Sequence, residues 1–110
     1  MKSVLETADE FIARKEAEQH PTAELTSPEE GKTWIFPIEA RTFVVGSPKQ
    51  VFVIERLSGG WITGAGVMYR IGYFRQNESG HWKRPLQNPV LSKEVLASLL
   101  TQARSDKTLL

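Results

Sequence analysis

Val51-Phe52-Val53-Ile54-Glu55-Arg56-Leu57 is the stretch on which the fold turns. Val51, Val53, Glu55 and Leu57 alternate with Phe52, Ile54 and Arg56, a period of two built from β-branched and aromatic residues, and this predicts a strand. Upstream, Gly46-Ser47-Pro48-Lys49 is a turn signal, and residues 42–45 are extended. Further upstream, Trp34, Phe36 and Ile38 alternate with Ile35, Pro37 and Glu39. Pro37 has no N–H for a ladder, so that strand is expected at an edge or bent there. Downstream, Ser58-Gly59-Gly60 turns the chain. Residues 61–74 then make one bent strand or two short ones, with Gly64 and Gly66 at the bend or bulge. Within them Val67, Tyr69, Ile71 and Tyr73 share one face, and Met68, Arg70 and Phe74 the other. Asn77-Glu78-Ser79-Gly80 is a hairpin loop, and His81-Trp82-Lys83-Arg84 begins a return strand.

The period changes to helical at both ends. Val4, Leu5, Ala8, Phe11 and Ile12 form an apolar stripe, so residues 3–19 are expected to be a helix. Ser3 and Glu6 have capping-box spacing, Glu10 with Arg14 makes an i,i+4 pair, and His20-Pro21 ends the segment. Residues 27–31 predict a single turn, with Ser27 capping, Pro28 at the first position and Gly31 stopping it. After the break at residues 85–89, Ser92 caps a second helix over 92–104, with Val95, Leu96, Leu99, Leu100 and Ala103 on one face. Residues from Ser105 onward are expected to fray.

The order helix, four or five antiparallel strands, helix predicts an α+β fold. It is one curved sheet with helices packed on one face or end, and the competing picture is a partly closed small barrel. A chain of 110 residues predicts a single domain and can bury roughly two-thirds of its unfolded surface. The absence of cysteine excludes disulfides, thiolate metal sites and a cysteine nucleophile. Residues 1–10 have no apolar run after Lys2, so no secretory signal is expected, and no apolar run approaches the ~20 residues of a membrane span. A cytoplasmic protein is the expectation.

Charge is divided along the chain. Residues 1–30 hold eight acids against three bases; residues 31–85 hold eight bases against three acids and nine of the ten aromatics. A formal net charge of +1 thus conceals an acidic head and a basic, aromatic body. Single-stranded nucleic acid is held by cations on its phosphates and by aromatic faces under its bases. Arg70, Arg75, Lys83 and Arg84 are candidate phosphate partners, and Trp61, Phe74 and Trp82 candidate stacking rings. The competing expectation is an ordinary aromatic core beneath a solvated strand face. The acidic first segment either meets a basic partner, folds over the basic sheet, or presents a solvated polar face.

No catalytic centre is expected. His20 and His81 lie in different segments, and neither has metal-ligand spacing with a second histidine. Glu39 and Glu55 are the acids within predicted strands; as a facing pair they would suit general acid–base work, and as neighbours of Arg41 and Arg56 they suit cross-strand ion pairs. Gly59-Gly60-Trp61-Ile62-Thr63-Gly64-Ala65-Gly66 leads into a strand with no Gly-Lys-Ser/Thr following, which fits a turn and bulge better than a nucleotide loop.

Tyr73-Phe74-Arg75, Asn77-Glu78-Ser79-Gly80, Lys83-Arg84-Pro85 and Leu91-Ser92 before the last helix give residues 69–103 a resemblance to the single-stranded-DNA-binding transcriptional coactivators of the positive cofactor 4 type. The resemblance implies an aromatic, basic strand, a polar hairpin, a Lys/Pro-rich return and a terminal helix serving single-strand binding. This chain departs from it in lacking the Pro-Gly…Lys-Gly return and the helix tryptophan, and in residues 1–30 and 59–66. The expectation is therefore a small non-enzymatic binding domain that needs no cofactor or metal and engages single-stranded nucleic acid. The alternative is a protein–protein interaction or inhibitor-type domain without a nucleic-acid role, with homodimerisation open and no membrane partner.

Overall fold

The computed structural model describes residues 5–26, 29–58, 67–85 and 89–109. Helix α1 (Ala8–Glu16) leads into strands β1 (Thr22–Thr26), β2 (Thr33–Ser47), β3 (Gln50–Ser58), β4 (Val67–Gln76) and β5 (Trp82–Lys83), and helix α2 (Lys93–Ser105) follows. The strands pair antiparallel in chain order and curl into a half-barrel, the α+β architecture expected. No helix among the described residues is long and apolar enough to cross a membrane.

The central strand is β3, and it is buried on both faces because both of its alternating sets are mostly apolar. Val51 and Val53 pack with Ala8, Phe11 and Phe74 beneath α1. Phe52 and Ile54 pack with Tyr73, Leu99 and Ala103 beneath α2. Successive strand residues point to opposite faces, so the helices cover opposite sides of the sheet rather than sharing one face or end. A third cluster, Ala23, Phe36 and Leu57 with Met68, closes the far end of the α1 face beneath the β1–β2 hairpin.

Long β2 makes the curl. Over Thr33 to Pro37 it pairs with β1, and from Ile38 to Ser47 with β3. Pro37 sits where the strand changes partner, and the register shifts between Ile38 and Ala40. That irregularity bends the strand as expected of a bulge beside a proline. A second shift lies between Val45 and Ser47. There a Cβ on Gly46 would stand 2.3 Å from the Phe52 ring, so the hairpin closes over that ring only with glycine.

Four local expectations are corrected. The strand β1 was not anticipated. The first helix spans Ala8–Glu16 instead of 3–19, because Thr7 and Glu10 form the capping box, with Glu10 N–H donating to Thr7 and Thr7 N–H to Glu10. Arg14 accordingly pairs with Glu6 at 2.9 Å rather than with Glu10. Finally, the segment after Ser105 is folded. The Thr42 hydroxyl donates to the Asp106 carboxylate at 2.7 Å and lies 2.9 Å from the Thr108 hydroxyl. Thr108 is 1% exposed, and Leu109 packs on the α2 cluster. Ser3, Ser27, Pro28 and residues 59–66, on which a cap, a turn and a bulge were expected, lie outside the described residues. The second helix begins after its Ser92 cap as expected, with Val95 N–H donating to the hydroxyl.

Candidate functional site

Between α1 and the β1–β2 hairpin, the α1 face of the sheet changes from apolar to charged. Glu55 on β3 stands there, 1% exposed. Register places Arg70 of β4 directly opposite it. The Arg70 Nε donates to Glu55 Oε1 at 2.8 Å, and the Arg84 Nη2 donates to the same oxygen at 2.8 Å. A carboxylate between two guanidiniums is a charge-assisted arrangement that offsets the loss of hydration. Burial pushes the Glu55 carboxyl up, but the Arg70 hydrogen bond and the charges of Arg84 and Arg70 outweigh it, and Glu55 titrates below the usual carboxylate range. Burial pushes the Arg84 guanidinium down; Glu55 opposes this, while repulsion from Arg70 and Arg41 adds to it.

Arg84 reaches Glu55 across bare backbone. Gly72 lies between Arg70 and Phe74 on this face, and a Cβ there would stand 3.1 Å from Arg84 Nη1. The same guanidinium lies 4.8 Å from the centre of the Phe74 ring, a cation–π distance. Lys15 approaches that ring from α1, at 5.4 Å. Arg41 of β2 completes the cluster. It donates to the Lys15 carbonyl at the end of α1 and, at 2.9 Å, to Glu18 Oε1. A cation on the last turn's carbonyl complements the helix dipole. Burial pushes Glu18 up, yet hydrogen bonds from Arg41 and Lys15 bring it below its ordinary value.

These groups line one cavity of about 320 Å³. Among the described residues its walls carry four cations (Lys15, Arg41, Arg70, Arg84), two carboxylates (Glu18, Glu55) and His20 at the α1–β1 connection. The formal excess is two positive charges. No group of three or more His, Asp or Glu that could hold a metal occurs among the described residues.

The residues singled out in the sequence separate into two sets. Arg70, Phe74 and Arg84 converge on the cavity. Phe74 is 9% exposed, packed on Phe11 at 4.9 Å between ring centres, so it forms the floor rather than an open stacking surface. Trp82 also stacks on Phe11, at 4.8 Å with 19° between planes, and its indole N–H donates to the Glu6 carbonyl at 3.1 Å. It anchors the entry to α1 together with Gln76, which donates to the same carbonyl at 2.8 Å. Arg75 and Lys83 face each other across β4–β5, exposed, on the opposite side of the sheet from Arg70 and Arg84. Trp61 lies outside the described residues. Glu39 and Glu55 do not face each other: Glu39 pairs with Arg56 at 3.3 Å.

Sequence reasoning missed Lys15, Glu18, Arg41 and His20 as members of this site. The signal available was the pairing of an acidic first segment with a basic sheet, which joins Glu18 to Arg41 here. In comparisons with known proteins the chain matches no family model, no curated protein and no solved structure.

Proposed function

We propose that this chain is a small, cytoplasmic, non-enzymatic binding domain that engages single-stranded nucleic acid through its phosphates. One observation carries the reading: Lys15, Arg41, Arg70 and Arg84, drawn from α1, β2, β4 and the segment after β5, converge on one cavity with two cations in excess. Among the described residues the lining hydroxyl of Thr22 has no hydrogen bond to a base, which favours binding over chemistry. Arg75 and Lys83 lie exposed on the opposite face of the sheet, so a strand wrapping around the β4–β5 margin would meet both cationic groups. Tyr69 is 39% exposed on the Arg75 side.

Fluorescence anisotropy of a labelled single-stranded oligonucleotide, titrated at low and at moderate salt, tests the reading. Saturable binding that weakens with salt is expected, because neutralised phosphates release counterions. Absence of binding at low salt overturns it. The double variant Arg75→Glu/Lys83→Glu should weaken binding with the fold intact, since both side chains are exposed. Changing Arg84 is less informative, because a glutamate there faces Glu55.

A second reading, a protein-interaction or inhibitor-type domain that includes a homodimer, is favoured by the β4 edge. On its β5 side the described ladder covers only Arg75 and Gln76, and Tyr69 and Ile71 are exposed beside the remainder. Such edges invite strand addition. Sedimentation equilibrium giving a dimer mass, with no oligonucleotide binding, would favour it.

A further inference from the structure

We propose that the cavity is a recognition site for a phosphomonoester dianion, the terminal phosphate of a strand, rather than for the phosphodiesters along it. The inference rests on the nucleic-acid reading and deepens it. Shape is the first argument. The cavity is walled by the end of α1, the α1–β1 connection, β2 and β4, and its floor is Glu55 on β3 and the Phe74 ring. A recess walled by so many elements receives a chain end, whereas an internal phosphodiester must leave in two directions. At about 320 Å³ it has the volume of the smaller ligand sites, room for one phosphoryl group with its sugar.

Charge is the second argument. Four cations against Glu18 and Glu55 leave two positive charges, and a phosphomonoester carries close to two negative ones near neutral pH, against one for a diester. Donor supply is the third. A guanidinium has five N–H donors, and among the described residues the bonds of Arg41, Arg70 and Arg84 to Glu18, Glu55 and the Lys15 carbonyl use a minority of them. Those carboxylates also hold the guanidiniums in place before any ligand arrives, which reduces the ordering required on binding. Arg84 and Arg41 repel one another in the free protein, and an anion between them relieves that repulsion.

The test compares one oligothymidylate in three forms, hydroxyl-ended, 5′-phosphorylated and 3′-phosphorylated, by anisotropy at low salt, with thymidine monophosphate as a separate calorimetric probe. A phosphorylated end should bind about tenfold tighter or better, the scale of one charge-assisted contact. Equal affinity for all three forms overturns the inference and leaves the nucleic-acid reading standing. Monophosphate binding without any oligonucleotide binding supports the cavity and overturns the strand reading. Two variants at the cavity wall locate the site. Lys15→Gln should reduce the preference for a phosphorylated end several-fold, and Glu18→Gln, which removes a competing carboxylate, should increase it. A preference unchanged in both, with both variants folded, overturns the assignment to this cavity.

Discussion

Glu55 is the residue on which the α1 face depends. It is 1% exposed and shares one oxygen between two guanidiniums. Removing one member of a buried ion cluster leaves the others uncompensated, so Glu55→Gln should lower stability by about 3–5 kcal/mol in chemical denaturation at neutral pH. The carboxyl is depressed in the folded state. Its contribution is therefore complete above the unfolded carboxylate value, about 4.3, and is lost as pH falls through the lower folded value. The native protein should lose stability below about pH 4, and Glu55→Gln should flatten that part of the profile; an unchanged acid limb would show that Glu55 is not the titrating group. Part of this was legible in the sequence, where Glu55 alternates into a strand with arginines near it. Arg84 was not, because its approach rests on a register set by the β4–β5 hairpin.

Among elements, strong periodicity was legible and weak periodicity was not. The sheet strands around β3, the hairpins at residues 46–49 and 77–80 and helix α2 follow from alternation, turn residues and the Ser92 cap. The strand β1 is five residues long, with Ala23 and Leu25 as its inward-facing pair, too short a pattern to stand out from a loop. At the first helix the capping box is made by Thr7 and Glu10, which leaves the Glu6 carbonyl to receive Gln76 and Trp82. That is why Trp82, an aromatic among basic residues in sequence, is an anchor in space. The segment after α2 looked like a polar tail because its partner, Thr42, is 64 residues away. Asp106→Ala removes the acceptor of a largely buried hydroxyl and of the Thr108 N–H. It should cost about 1–3 kcal/mol in thermal or urea unfolding. A frayed tail would give no change.

At the scale of the whole molecule, the division of charge in the sequence becomes a division of layers. The acidic first segment lies over one face of the basic sheet, and at its end Glu18 joins Arg41 while Lys15 overlooks Phe74. The pairings consume part of the basic excess and leave two charges concentrated in one recess. Composition showed the excess; its focus depends on the curl of β2, which brings residues from four segments to one point. The most direct measurement is a titration of isotopically labelled protein with 5′-phosphorylated oligothymidylate at low salt, following backbone amide and arginine Nε–H resonances. Saturable shifts centred on Lys15, Arg41, Arg70 and Arg84, reversed by salt, are the expected result. Silence at those four residues, or shifts centred instead on Arg56 and Lys107 on the α2 side, would contradict it.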